Sequence, residues 1–193
     1  HGERVAGVAS RLKRLMRRYV NYLDQTLFVQ LLNRELSAEQ SGFATSVTMT
    51  YFAPSRTLDI CNAGHPRPLW YRAHRRRWEL LVSDSGRDQR ESREPSNLPL
   101  GVLEPTTYEE FGVRLRAGDM VLLYTDGVTE SRSVAGQALG EEGLLDLVSS
   151  LDAAQPAEII PELLTRLDGW RGDEPPEDDV TIMLLHHDGT RVR

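Results

Sequence analysis

The sequence predicts an α+β domain built on antiparallel sheet, and three observations predict it. Apolar residues recur at helical spacing in two opening segments and again in two segments past residue 140. Between them the period falls to two, in short runs separated by turns. Those runs follow one another as hairpins, which excludes a parallel βαβ wind. At the centre of this plan lies Met120-Val121-Leu122-Leu123-Tyr124, a run that reads as a buried strand. It leads into Thr125-Asp126-Gly127, so a rigid strand delivers a carboxylate to its own rim.

The elements follow in order. From residue 4 to about 20, Val5, Val8, Leu12, Leu15, Met16 and Tyr19 recur at helical spacing, with Arg4, Arg11, Lys13, Arg14, Arg17 and Arg18 on the other face. A basic face of this kind could touch phosphates or an acidic partner, but it is ordinarily solvated. The apolar face serves core packing or a homodimer contact equally well. A second helix is expected over Leu27 to Leu36, with Phe28, Leu31 and Leu32 inward. Phe43, Thr45, Val47, Met49 and Tyr51 then alternate with small or polar residues, which predicts a strand. Ala53-Pro54-Ser55-Arg56 is a turn, and Thr57 to Asn62 the returning strand. A second hairpin is expected from Pro68–Arg72 and Arg77–Leu81, with Trp70, Tyr71 and Trp78 as core or sheet-face aromatics. From Ser83 to Pro95 no apolar residue occurs, which reads as a long polar loop. Tyr108 to Leu115 alternates as a strand, and Arg116-Ala117-Gly118-Asp119 turns into the central one. Glu141–Leu151 and Ala157–Leu167 are helices by pattern, the second with Pro156 near its start, where a missing N–H is harmless. The last strand, Val180 to Leu185, reads as buried and follows the acids Glu177-Asp178-Asp179.

The 193 residues suffice for one domain with a real core and hardly for two. A net charge of −6 and a pI near 5.4 argue against a general nucleic-acid binder. The single cysteine, Cys61, rules out an internal disulfide and suits a reducing, cytoplasmic setting. No apolar run has the length to cross a bilayer, so no membrane role is expected.

Four motifs in order carry a resemblance. They are Asn62-Ala63-Gly64-His65-Pro66, Leu98-Pro99-Leu100-Gly101, Gly118-Asp119 leading to Leu122-Leu123-Tyr124-Thr125-Asp126-Gly127-Val128-Thr129-Glu130, and Asp178-Asp179-Val180-Thr181. Together they resemble the bacterial SpoIIE/RsbU branch of the metal-dependent (type 2C, PPM) protein serine/threonine phosphatases, over essentially the whole chain. The resemblance implies two stacked antiparallel sheets flanked by helices, an αββα sandwich. It implies two Mn²⁺ or Mg²⁺ ions at one sheet edge. It implies a substrate class as well: phosphoserine or phosphothreonine on an anti-anti-sigma, STAS-type regulatory protein. Residue by residue, Asp126 matches the metal-binding Asp of Thr-Asp-Gly, and Asp178 the metal-binding first acid of Asp-Asp-Val-Thr. Asp179 is the weaker metal candidate of its pair. The family's Asp-x-x-Gly-His-Gly motif matches only at His1-Gly2, so the bridging Asp of that motif and the first strands are expected upstream. The resemblance thus describes one phosphatase domain, incomplete at its N-terminus, holding part of the metal site.

The chemistry agrees with the residue types. Two ions about 4 Å apart can share a hydroxide and clamp a phosphoryl group, so no side-chain nucleophile is needed. The chain has no nucleophile elbow, no Cys–Arg phosphate loop and no P-loop. Carboxylates suit Mn²⁺ and Mg²⁺, whereas zinc would want more Cys and His. Against this, Asp126-Gly127 is also an ordinary turn pair, and Asp178-Asp179 also an acidic loop ahead of a strand. An aspartyl-phosphate mechanism would want a second Asp two residues after Asp126, where Val128 stands. Gly64-His65-Pro66 reads as a shaped turn rather than a phosphate contact. His186-His187 point to opposite faces of a strand and make a poor metal pair. The competing reading is a catalytically incomplete phosphatase-like module that binds a regulatory partner.

Overall fold

A computed structural model of the chain describes residues 3–19, 24–38, 42–82, 97–172 and 174–192. In chain order they form α1 (Glu3–Tyr19), α2 (Gln25–Ser37), β1 (Ser46–Phe52), β2 (Thr57–Ala63), β3 (Leu69–Arg72), β4 (Arg77–Leu80), β5 (Glu110–Arg114), β6 (Met120–Tyr124), α3 (Asp126–Thr129), α4 (Gly140–Ser149), α5 (Ile159–Arg171) and β7 (Ile182–His186). The chain divides into two compact units, residues 1–65 with 83–114 and residues 66–82 with 115–193. Each holds one antiparallel sheet and its own helices. The His1-Gly2 match and the polar run 83–96 lie outside the described residues.

In the first unit the sheet order is β1-β2-β5, with Thr48 opposite Cys61 and Ile60 opposite Phe111. Period-two alternation sends Cys61 and Ala63 to one face, where they pack with Phe28, Val29, Leu32 and Leu36 of α2 and Leu15 and Tyr19 of α1. Burying each such leucine contributes about 1.5–3 kcal/mol relative to exposure. Helix α2 begins two residues before the expected Leu27 because Asp24 caps it, accepting a bond from the Leu27 N–H at 2.9 Å. Asn33 is fully buried and fully used. Its Nδ2 donates to the Leu103 carbonyl (2.9 Å) and to Glu104 Oε2 (2.6 Å), and its Oδ1 accepts from the Gly101 N–H (2.8 Å). Burial first, and then the charges of Glu110 and Asp24, push the Cys61 thiol up to about 12, so it is a packing group and not a nucleophile.

Three expectations for this unit change. Met16 stands 48% exposed, because at helical spacing it falls off the stripe that Leu15 and Tyr19 share. Phe43 lies outside β1 and is 68% exposed, since the chain reaches the sheet only at Ser46. The strand expected over Tyr108–Leu115 shortens to Glu110–Arg114, and Tyr108 enters the core beside Leu100 instead.

In the second unit the order is β4-β3-β6-β7. Leu69 lies opposite Leu122, and Leu122 opposite Leu184. One face of the sheet, with Leu69, Trp78, Met120, Leu122 and Tyr124, joins Leu144 and Val148 of α4 and Ile159, Leu163 and Leu167 of α5 in one core. β6 is therefore an inner strand, as the sequence predicts. β7 is not buried: it is an edge strand, begins at Ile182 rather than Val180, and leaves Met183 55% exposed. The alternation of an edge strand with one covered face explains this, and a uniform apolar run conceals it. Trp70 and Trp78 are 7% and 6% exposed, as expected of core aromatics.

Two polar anchors hold the turns of this unit. Asp119 is 1% exposed, and its carboxylate accepts from the Ala73 and Arg116 N–H groups, both at 2.9 Å. It ties the β3–β4 turn to the turn that launches β6. Arg67, ahead of β3, ion-pairs with Glu141 in the first turn of α4. The Tyr124 hydroxyl donates to the Arg67 carbonyl at 2.7 Å. The Arg67 hydrogen bond is the chief reason that the Glu141 carboxyl sits below its ordinary range. A lowered folded-state pKa means that the unfolded chain binds the proton more readily. The bond's contribution is thus complete above the usual glutamate value of about 4.3 and fades as pH falls through the lower folded one. Arg67→Ala is expected to flatten this acid-side loss in a plot of thermal midpoint against pH between about 5 and 3. A slope equal to the wild type's would contradict it.

Candidate metal centre at the end of β6

β6 and β7 run antiparallel with Tyr124 opposite Ile182. The end of the first strand and the start of the second therefore meet at one edge of the sheet. Thr125 closes that meeting. Its N–H donates to the Thr181 carbonyl (3.0 Å), its Oγ1 accepts from the Thr181 N–H (2.9 Å), and its hydroxyl donates to the Asp179 carbonyl (3.1 Å). Gly127 permits the approach. A Cβ there would stand 2.6 Å from the Asp179 carbonyl oxygen and 3.4 Å from that of Asp178. Only a residue without a side chain fits so close to another backbone.

Asp126 is the first residue of α3, a single turn that sequence periodicity does not detect because four residues are too few to show a period. Its Oδ1 accepts from the Gly127 N–H at 3.0 Å. Asp178 does the same one residue on, its Oδ1 accepting from the Asp179 N–H at 2.8 Å. The far end of α3 is tied down by the Ser131 hydroxyl, which donates to the Gly127 carbonyl (2.8 Å), and by Trp170 Nε1, which donates to the Ser131 carbonyl (3.2 Å).

Asp126, Asp178 and Asp179 are all exposed, and among the described residues none has an ion pair. Three uncompensated acids on two touching turns make a strongly negative rim. This donor set suits a hard, oxygen-seeking cation; Cys and His, which zinc would want, are absent from these turns. It is also partial, since no group of three or more metal-ligating side chains is gathered among the described residues. His186 and His187 take no part in such a group. His65 sits in a reciprocal clasp: its N–H donates to Asn62 Oδ1 (2.8 Å), and Asn62 Nδ2 donates to its carbonyl (2.9 Å). That is the geometry of a shaped turn. Sequence reasoning missed Thr125; the available signal was a hydroxyl residue wedged between the last strand position and the acid.

Comparison with known proteins follows the same line. A family model described as stage II sporulation protein E (SpoIIE) matches residues 1–188. The phosphoserine phosphatase RsbU of Bacillus subtilis is 26% identical over 156 residues, which is 80% of this chain and 42% of that protein. The RsbU and RsbW domains of a Mycobacterium tuberculosis protein superpose with a TM-score of 0.77 at 22% identity, over 99% of this chain and 50% of that one. The PP2C phosphatase domain of Bacillus subtilis SpoIIE, solved with a fragment of its regulatory domain, gives 0.72 at 18% identity, over 95% of this chain and 50% of that one. The chain spans half or less of each of these three. Among the described residues no helix is long and apolar enough to cross a membrane. The motif order, the two antiparallel sheets with their helices and the family match together place this chain in the SpoIIE family, with the fold of a PP2C-type phosphatase domain.

Proposed function

We propose that this chain is a single phosphatase domain that hydrolyses phosphoserine or phosphothreonine on a regulatory protein, of the anti-anti-sigma, STAS type, in the cytoplasm. The observation that carries the reading is the contact of two acid-bearing turns, from residues 126 and 178, at one sheet edge. Solved relatives lend support to the cation: RsbX has been crystallised with magnesium, and a SpoIIE phosphatase domain was presoaked with manganese. Asp126 and Asp178 would hold Mn²⁺ or Mg²⁺, two ions in all, with Asp179 as a further oxygen ligand. When bound, such ions acidify water and neutralise charge on a phosphoryl group. The chain's own contribution is placement. β6 supplies a rigid mount, Thr125 holds the second acid turn against the first, and Gly127 keeps the gap between them closed. The exposure of all three acids leaves the rim open to a protein substrate.

The full-length protein is expected to release p-nitrophenol from p-nitrophenyl phosphate with Mn²⁺ or Mg²⁺ and to fall to background in EDTA. It is also expected to dephosphorylate a phosphoserine STAS protein. Undiminished turnover in EDTA would refute the metal reading. A second reading, a module that binds a regulatory partner without turnover, draws on the small number of described ligands at the rim. It predicts partner binding with no hydrolysis under any metal.

A further inference from the structure

The rim poses an electrostatic problem of its own. Asp126, Glu130, Glu177, Asp178 and Asp179 are all exposed there, and an incoming phosphate ester is itself anionic. Beyond any cation held by the acids, a side chain must meet that charge. Arg132 is the described cation tied directly to the acid-bearing turns. Its Nε lies 3.6 Å from Glu177 Oε1, on the residue next to Asp178, and its Nη1 donates to the Gly136 carbonyl at 3.0 Å. Its backbone is held by a bridge to Ala138 and follows directly on Ser131, which is bonded back to α3. The guanidinium is thus held at the lip of the site from the chain side, while its partner is replaceable. The two side chains are 55% and 68% exposed, and an ion pair so wet contributes little to stability. A phosphate monoester offers a guanidinium two charged oxygens in its own fork geometry, a stronger partner than one carboxylate oxygen at that distance.

We propose that Arg132 is the phosphate-recognising residue of this site, parked on Glu177 in the free protein and transferred to the phosphoserine phosphate on docking. This rests on the metal-dependent phosphatase reading above and adds to it the side chain that selects the substrate's charged group. No covalent step is involved; one ion pair is exchanged for another.

The test uses the full-length protein, with steady-state kinetics on p-nitrophenyl phosphate in Mn²⁺ and calorimetric titration with inorganic phosphate. Arg132→Ala is expected to raise KM and weaken phosphate binding by about tenfold or more, with kcat changed far less, because contact is lost in ground and transition states alike. Arg132→Lys should recover only part of this, since a point charge lacks the fork. Glu177→Gln frees the guanidinium and should lower KM by about two- to threefold. A purely structural role for the pair would instead make Glu177→Gln neutral or harmful. If Arg132→Ala leaves both KM and phosphate affinity unchanged while Asp126→Asn is inert, the Arg132 assignment falls and the phosphatase reading stands. If Asp126→Asn is fully active, the phosphatase reading itself falls.

Discussion

Replacing Asp126 with Asn is expected to reduce turnover of p-nitrophenyl phosphate by at least about a hundredfold at saturating Mn²⁺, the scale at which loss of one charge-stabilising group acts. The fold should be indifferent to the change. The Asp126 carboxylate is exposed, and its one described bond comes from the Gly127 N–H to Oδ1. An asparagine carbonyl oxygen accepts that bond in the same place. The thermal midpoint in the absence of metal should therefore stay within the small range typical of surface substitutions, about 0.5 kcal/mol in stability. What is lost is the negative charge that attracts a hard cation. Asp178→Asn is expected to behave alike, since among the described residues its Oδ1 accepts only the neighbouring Asp179 N–H. Wild-type turnover in Asp126→Asn would show that the acid at the end of β6 is no more than a turn residue.

Gly127→Ala is expected to damage stability and metal response together. Helix propensity favours alanine over glycine by up to about 1 kcal/mol, so a local argument predicts a gain. The obstacle is spatial. The new Cβ would stand 2.6 Å from the Asp179 carbonyl oxygen and 3.2 Å from its carbon, and these are backbone atoms that cannot rotate aside. Either α3 or the Asp178-Asp179 turn must move. Overpacking of this kind costs about 1–3 kcal/mol, a fall of roughly 3–10 °C in thermal midpoint for a domain of this size. The displaced turn carries the second acid, so half-activation should also need about tenfold more Mn²⁺, equal to a coupling of ~1.4 kcal/mol. Gly169→Ala in α5 is the control: it is exposed, and nothing lies within 4 Å of its added Cβ. It should be neutral or mildly stabilising. Equal behaviour of the two substitutions would mean that the approach of the two turns is not enforced at Gly127.

Much of the fold could be read along the chain because its signals are local. The helices of residues 3–19, 141–149 and 159–167 show in the recurrence of apolar groups, and the hairpin partners of Thr57–Ala63 and Leu69–Arg72 in alternation and turn chemistry. Asp126 and Asp178 were visible as acids at the two ends of apolar runs. Errors fell where a side chain's fate depends on residues far away. Met16 and Phe43 are apolar yet exposed: the first falls off the stripe that Leu15 and Tyr19 share, and the second precedes the start of the strand at Ser46. Asp119 reads as a turn residue, yet its carboxylate is buried under two backbone donors. One of those donors, the Ala73 N–H, lies 46 residues away along the chain.

The sequence by itself determined the element types, the order of the motifs and which acids stand at strand ends, because periodicity and turn chemistry act over a few residues. Only the tertiary structure decided that the first hairpin pairs with Glu110–Arg114 while the second pairs with Met120–Tyr124, and so that they belong to different sheets. It also decided that Ile182–His186 is an edge strand, and that a threonine hydroxyl and a missing side chain hold the turn that follows Met120–Tyr124 against the Asp178-Asp179 turn. Strand pairing is a contest among distant segments for the same hydrogen-bonding edge, and its outcome depends on burial summed over the whole sheet rather than on any local run of residues.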